Sequence, residues 1–127
     1  MIRYASVTEE SKKEQLFQDG LKHYIAQDYF EAHESWEDLW SDYYLEDRKF
    51  VQGLIQLSVS FVHLGNGNMT GAKNLLRKSK EKFKLFSEIQ RGIKIKLLLD
   101  QIETIGVTYD NLEYPTDFDW TLVPTLE

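Results

Sequence analysis

Two histidines and two glutamates have types and spacings that could bind a metal ion and activate water. His33, Glu34 and Glu37 lie in one short segment, and His63 follows later in the chain. Residues four apart on a helix share a face, so His33 and Glu37 could bind one ion together. With His63 they make a set of two imidazoles and one carboxylate, suited to a divalent metal such as zinc. Glu34 would then be the general base of a metal-dependent hydrolase.

The same side chains also fit a structural role. On a helical wheel, His33 and Glu37 share a stripe with two tryptophans, and the next helix carries a polar stripe that is nearly uncharged. Antiparallel packing would bring the two stripes together. A buried carboxylate needs partners, so we expect one buried, hydrogen-bonded cluster spanning both helices. The cluster with its neighbouring tryptophans comprises His33, Glu37, Arg48, Gln52, Gln56, His63, Trp36 and Trp40.

These residues leave several functions open. The leading interpretation is a binding or interaction protein in which the polar cluster mainly maintains the structure. The alternatives are the metal-dependent hydrolase and a small-molecule pocket with tryptophan walls. A further alternative is a docking module that uses the basic face of the fourth helix to bind an acidic protein partner, nucleic acid or a second copy. That face comprises Lys73, Arg77, Lys78, Lys80, Lys82 and Lys84.

Hydrophobic periodicity predicts the five helices that must position these side chains. They span residues 11–26, 29–44, 47–64, 68–86 and 94–104, within a helical core at about 9–106 and before a tail at 107–127. The third helix has no charged residue from Phe50 to Leu64, which indicates that its neighbours cover most of it. We therefore expect an all-α fold, a single domain at 1–127 with the third helix at its centre. The aromatic tail should lie across the bundle.

Capping residues and glycines predict where the helices end. Ser11 with Glu14, and Asp28 with Glu31, have the spacing of capping boxes, and Asn68 can cap the fourth helix. Gly65 is predicted to end the third helix in the left-handed conformation, and Gly106 to stop the fifth.

Composition narrows the class of protein further. The 127 residues include no cysteine, which excludes a disulfide framework and thiol chemistry and is typical of the cytoplasm. The net charge of -6 argues against nucleic acid as a partner. No apolar run is long enough to predict a membrane span.

The chain resembles the domain of unknown function 309 family. The resemblance rests on Phe30-Glu31-Ala32-His33-Glu34, Trp36-Glu37 and Trp40, followed by Arg48, Gln52-Gly53-Leu54-Ile55-Gln56 and His63. Gly20, Asn68, Gly71-Ala72 and Leu75-Leu76 extend it, so that it covers about Phe17 to Leu76. The resemblance implies a small helical bundle. Some relatives carry the label of predicted metal-dependent hydrolase, which refers to the His-Glu motif.

Overall fold

Five helices dominate the structure, a computed structural model that describes the backbone of residues 2–127 and the side chains of residues 8–127. The helices are α1 (Ile2–Ile25), α2 (Tyr29–Asp42), α3 (Arg48–Gly65), α4 (Met69–Phe83) and α5 (Ile95–Asn111). A hairpin of two short strands, β1 (Ile89–Gln90) and β2 (Ile93–Lys94), precedes α5, and two 3-10 turns (Pro115–Asp117 and Trp120–Leu122) lie in the tail. The predicted all-α class is confirmed. Within this described part of the chain, no helix is long and apolar enough to cross a membrane.

The third helix is the central element, as its sequence predicts. α3 packs against α2 and against α4, and it also touches the first 3-10 turn of the tail. Phe50, Leu54, Leu57 and Phe61 on its apolar side are fully or almost fully buried. The opposite stripe, which includes Gln56, is only half-buried. This difference in burial decides which α3 side chains can meet a ligand.

One close contact joins α1 to α2. The side chain of Trp36 is 0% exposed, and its indole Nε1–H donates to the carbonyl oxygen of Phe17 at 3.1 Å. A Cβ atom on Gly20 would lie 2.1 Å from the Trp36 Nε1 atom, so only glycine leaves room for the ring. The two helices are therefore held in register by a large ring seated on a glycine.

The tail closes the bundle, as predicted. The hydroxyl of Tyr24 donates to the carbonyl oxygen of Pro124 at 2.7 Å, and the buried ring of Phe118 lies 5.6 Å from that of Tyr109. The backbone N–H of Lys94, in β2, donates to the carbonyl oxygen of Glu127 at 3.0 Å. The final residues thus connect α1 to the hairpin.

Both predicted capping boxes are wrong, and so are the predicted start of α1 and the predicted role of Gly65. α1 begins at Ile2, so Ser11 lies inside the helix and cannot form a capping box at its start. Asp28 occupies the N-cap position of α2, but its side chain makes no capping hydrogen bond. α3 includes Gly65, and the positive φ of 78° falls at Gly67 instead.

The fifth helix continues beyond its predicted end. α5 passes through Gly106 and ends at Asn111, so the tail starts later than the predicted residue 107. Ile102, Ile105 and Tyr109 continue one buried stripe along α5. A glycine inside a helix costs about 1 kcal/mol relative to alanine, and burial of a single large side chain outweighs that cost.

We predict that Gly20→Ala lowers the free energy of unfolding by about 2 kcal/mol, because the new methyl group must displace the Trp36 ring. Gly65→Ala is the matched control, since it also lies in a helix and no heavy atom lies within 4 Å of the added Cβ. Its stability should stay unchanged or rise by up to about 1 kcal/mol. Urea denaturation measures both variants, and equal effects would contradict the proposed contact.

Candidate functional site

His33 and Glu37 form an ion pair on the surface of α2. The His33 Nε2 atom lies 2.8 Å from the Glu37 Oε2 atom, and the His33 Nδ1 atom lies 3.0 Å from the carbonyl oxygen of Phe30. Both oxygens accept hydrogen bonds, and the tautomer of His33 decides which ring nitrogen donates. The Glu37 side chain is 54% exposed and that of His33 is 18% exposed. Water therefore screens this pair, which was expected to be buried.

The predicted metal ligands do not come together. Among the described residues, no group of three or more histidines, aspartates and glutamates could hold a metal ion. His33 is occupied by Glu37, and His63 faces a different helix connection. Glu34, the predicted general base, is exposed. The arrangement does not fit the predicted three-ligand site, and whether a divalent ion binds by another route stays a prediction.

Arg48 connects the start of α3 to the end of α2. Its guanidinium carbon lies 3.7 Å from the ring centroid of Trp40, and its Nη1 group donates to the Trp40 carbonyl oxygen at 2.9 Å. That carbonyl lies in the last turn of α2, where backbone oxygens lack helical partners. Arg48 therefore stabilises the α2 terminus and the Trp40 ring together, rather than pairing with Glu37.

His63 belongs to the connection between α3 and α4. Its Nδ1 atom lies 3.3 Å from the Asn68 side-chain nitrogen, and the Asn68 Oδ1 atom accepts the Gly71 backbone N–H at 2.9 Å. Asn68 is thus the predicted cap of α4. A Cβ atom on Gly71 would lie 2.8 Å from the His63 Cγ atom, so the imidazole packs directly on the first turn of α4.

The remaining members of the predicted cluster differ in their surroundings. Trp36 is core and satisfies its indole N–H with the carbonyl oxygen of Phe17. Two other polar atoms, Gln56 Oε1 and Trp40 Nε1, are buried and have no hydrogen-bond partner in the described structure. Gln52 is half-buried on the same side of α3. The expectation of one buried, fully hydrogen-bonded cluster is therefore wrong, because the polar groups form separate local pairs and two atoms stay unpaired.

Comparison with known families covers this part of the chain. Residues 17–75 match the model of a family described as a domain of unknown function (DUF309). We call these residues, which are similar to that family, the DUF309 segment. The match begins at Phe17, inside the second half of α1, and ends in the middle of α4. It confirms the resemblance seen in the sequence. No curated protein and no solved structure shows significant similarity to the chain.

The basic face of α4 extends beyond the DUF309 segment, and three of its six basic side chains form ion pairs. Lys73 pairs with Asp110 of α5, Arg77 pairs with Glu81, and Lys80 pairs with Glu103 of α5. The ammonium groups of Lys80 and Lys84 lower the pKa of the Glu103 carboxyl, mainly through the Lys80 hydrogen bond. The face therefore presents less free positive charge than the sequence suggests, and docking through it stays a prediction.

An ion pair that the sequence patterns do not predict joins the DUF309 segment to the hairpin. The Arg91 Nη2 group donates to the Asp47 Oδ1 atom at 2.9 Å, and the Gln90 amide donates to Asp47 Oδ2 at 3.0 Å. The Arg91 guanidinium also lies 4.6 Å from the ring centroid of Phe17. Asp47 lies 44 residues before Arg91, and no local sequence pattern connects the two.

The pKa of Asp47 predicts a pH dependence of stability. Burial by itself raises this pKa, but the hydrogen bonds and charge of Arg91, helped by Gln90, bring it below its usual value. A lowered pKa in the folded state means that this stabilisation is present above the unfolded pKa of about 3.9 and is lost as the pH falls through the folded pKa.

We predict that Asp47→Asn lowers the free energy of unfolding by about 2 kcal/mol at pH 7, because Arg91 loses its charged acceptor. The difference from the wild type should shrink as the pH falls toward 3, where the wild-type carboxyl also becomes protonated. Glu46→Gln, at an exposed neighbouring position, is the control and should have little effect. Denaturant titrations at both pH values provide the measurement. A deficit that is the same at pH 7 and pH 3 would contradict the ion pair's role.

Proposed function

We propose that this chain is a binding module that contacts its partner through the outer face of α2 and α3. The outer face is defined by five half-buried residues of the DUF309 segment: His33, Trp40, Gln52, Gln56 and His63. The proposal keeps the binding interpretation of the sequence but places these groups at the surface. His33 and His63 have different local partners, so they do not form one catalytic pair. A role in binding explains both histidines without a reaction.

The unpaired atoms of the outer face carry this proposal. A buried polar atom without a hydrogen bond costs about 1–3 kcal/mol, and native proteins keep few of them. Gln56 Oε1 and Trp40 Nε1 are two such atoms on adjoining helices. One accepts and the other donates. Because both residues are only half-buried, modest side-chain movement would present these atoms to a partner.

The shape of the outer face favours a polypeptide as the partner. From Gln52 to His63 the stripe extends along α3 for about 17 Å at the helical rise of 1.5 Å per residue. A polypeptide backbone offers a donor and an acceptor at every residue except proline, so it can complement both unpaired atoms. A narrow polar stripe of this length gives a peptide several contacts in a row.

We predict that Gln56→Met raises the free energy of unfolding by about 1 kcal/mol, because it removes a buried oxygen without a partner and keeps the side-chain volume. The same change should weaken binding of peptides selected by phage display against the wild type, by about threefold to tenfold for one lost hydrogen bond. This combination, a gain in stability with a loss of binding, is the sign of a group retained for function.

The matched control is Gln101→Met, at a half-buried glutamine on α5 outside the outer face. It should change neither peptide affinity nor stability appreciably. Thermal unfolding and fluorescence anisotropy measure the two quantities. The proposal fails if selected peptides bind Gln56→Met as tightly as the wild type, or if selection yields no peptide that binds the folded protein.

A further inference from the structure

An open cavity of about 570 Å³ lies at the end of the bundle where α2 begins and α3 ends. Its walls come from the first turn of α2, the last turn of α3 and Trp120 of the tail. Small-molecule sites usually have volumes of about 300–1,000 Å³. The cavity is therefore large enough for an organic ligand, and three separate parts of the chain build it.

Aromatic rings form one wall of the cavity. Tyr29 and Trp120 stack at a centroid distance of 5.8 Å with an interplanar angle of 16°, and Phe61 lies 5.1 Å from Tyr29. At the rim, the Phe30 side chain is 53% exposed, which is unusual for a phenylalanine next to a complete core. Aromatic faces carry negative partial charge and attract cations.

The charged groups of the cavity have a single sign. Asp28 and Glu31 line it, whereas no lysine, arginine or histidine does. Neither carboxylate has an ion pair or a side-chain hydrogen bond within the described residues, and Asp28 does not cap α2. The positive end of the α2 dipole amounts to about half a charge, which is less than the charge of the two carboxylates. The cavity therefore favours a cation.

The hydroxyl of Tyr29 adds a polar group to the aromatic wall. Tyr29 is only 8% exposed, yet its hydroxyl has no hydrogen-bond partner among the described residues. Burial raises the pKa of Tyr29, so the phenol stays protonated near neutral pH. Its oxygen can accept a hydrogen bond from an N–H or O–H group of a bound molecule.

We propose that this cavity binds an organic ammonium ion, with its alkyl groups against the accessible parts of the Trp120 and Phe30 rings and its charge facing Asp28 and Glu31. The aromatic wall and the carboxylates together select against both neutral and anionic molecules of the same size. The ammonium group could belong to a free amine or to a lysine-type side chain of a polypeptide. This inference does not depend on the outer face of α2 and α3.

Titration of the 127-residue chain with choline, followed in amide and indole NMR spectra, tests the inference. We expect saturable shifts of the Trp120 indole and of residues in the first turn of α2. The neutral isostere 3,3-dimethyl-1-butanol should bind at least about fivefold more weakly, since it lacks the charge. Equal affinity for the two compounds, or no saturable shift at these residues, would overturn the proposal.

Substitutions of the carboxylates and of Phe30 separate the contribution of charge to choline binding from that of the aromatic ring. Asp28→Asn with Glu31→Gln should weaken choline binding by about fivefold, within the range for two exposed charge pairs. Phe30→Ala should weaken it without loss of folding, because this ring is largely exposed. Glu34→Gln, one turn along α2 and outside the cavity, and Gln56→Met, on the outer face, are controls that should leave choline affinity unchanged. Unchanged affinity in the double carboxylate variant would overturn the assignment.

A peptide containing trimethyllysine distinguishes the source of the ammonium group. If it competes with choline and binds at least tenfold more tightly, the cavity recognises a polypeptide side chain. If choline binds and the peptide does not compete, the ligand is a free amine. Competition by acetate instead of by either cation would contradict the proposed charge selectivity.

Discussion

The seating of Trp36 on Gly20 is the contact on which the rest of the structure depends. It fixes α2 against α1, because a ring that is 0% exposed cannot be moved without opening the core. With the Trp36 edge of α2 turned toward α1, Trp40 lies at the border with α3, beside Arg48. The half-buried His33 and Trp40 side chains are therefore kept at the surface by the packing of Trp36.

That packing explains why the polar groups divide into local pairs. A half-exposed ion pair such as His33–Glu37 contributes at most about 1 kcal/mol, so it does not hold the two helices together. The helices are held by aromatic and aliphatic burial, and Arg48 and Asn68 stabilise their ends. The outer face is consequently free to keep two unpaired polar atoms. A polar cluster that maintained the structure could not leave them unsatisfied.

Sequence patterns predicted the helices and the central position of α3 because periodicity and an uncharged stretch report burial directly. They predicted the Asn68 cap because its chemistry is local.

The prediction of a single buried cluster was wrong because a helical wheel fixes the angles of side chains on one helix and not the rotation of the neighbouring helix. The stop at Gly106 was wrong because Ile105 and Tyr109, on either side of it, are buried on one stripe. The cavity at the α2 terminus could not be predicted, since its Trp120 wall comes from the distant tail.

The central claim is that the fold leaves two polar atoms of the outer face without hydrogen bonds. The most direct test is a crystal structure of the free protein at a resolution that places ordered water. It should show His33 between Glu37 and the Phe30 carbonyl and His63 beside Asn68, with Gln56 Oε1 and Trp40 Nε1 lacking any partner. A single hydrogen-bonded network joining His33, Gln56 and His63, or a metal ion shared by both histidines, would contradict the account.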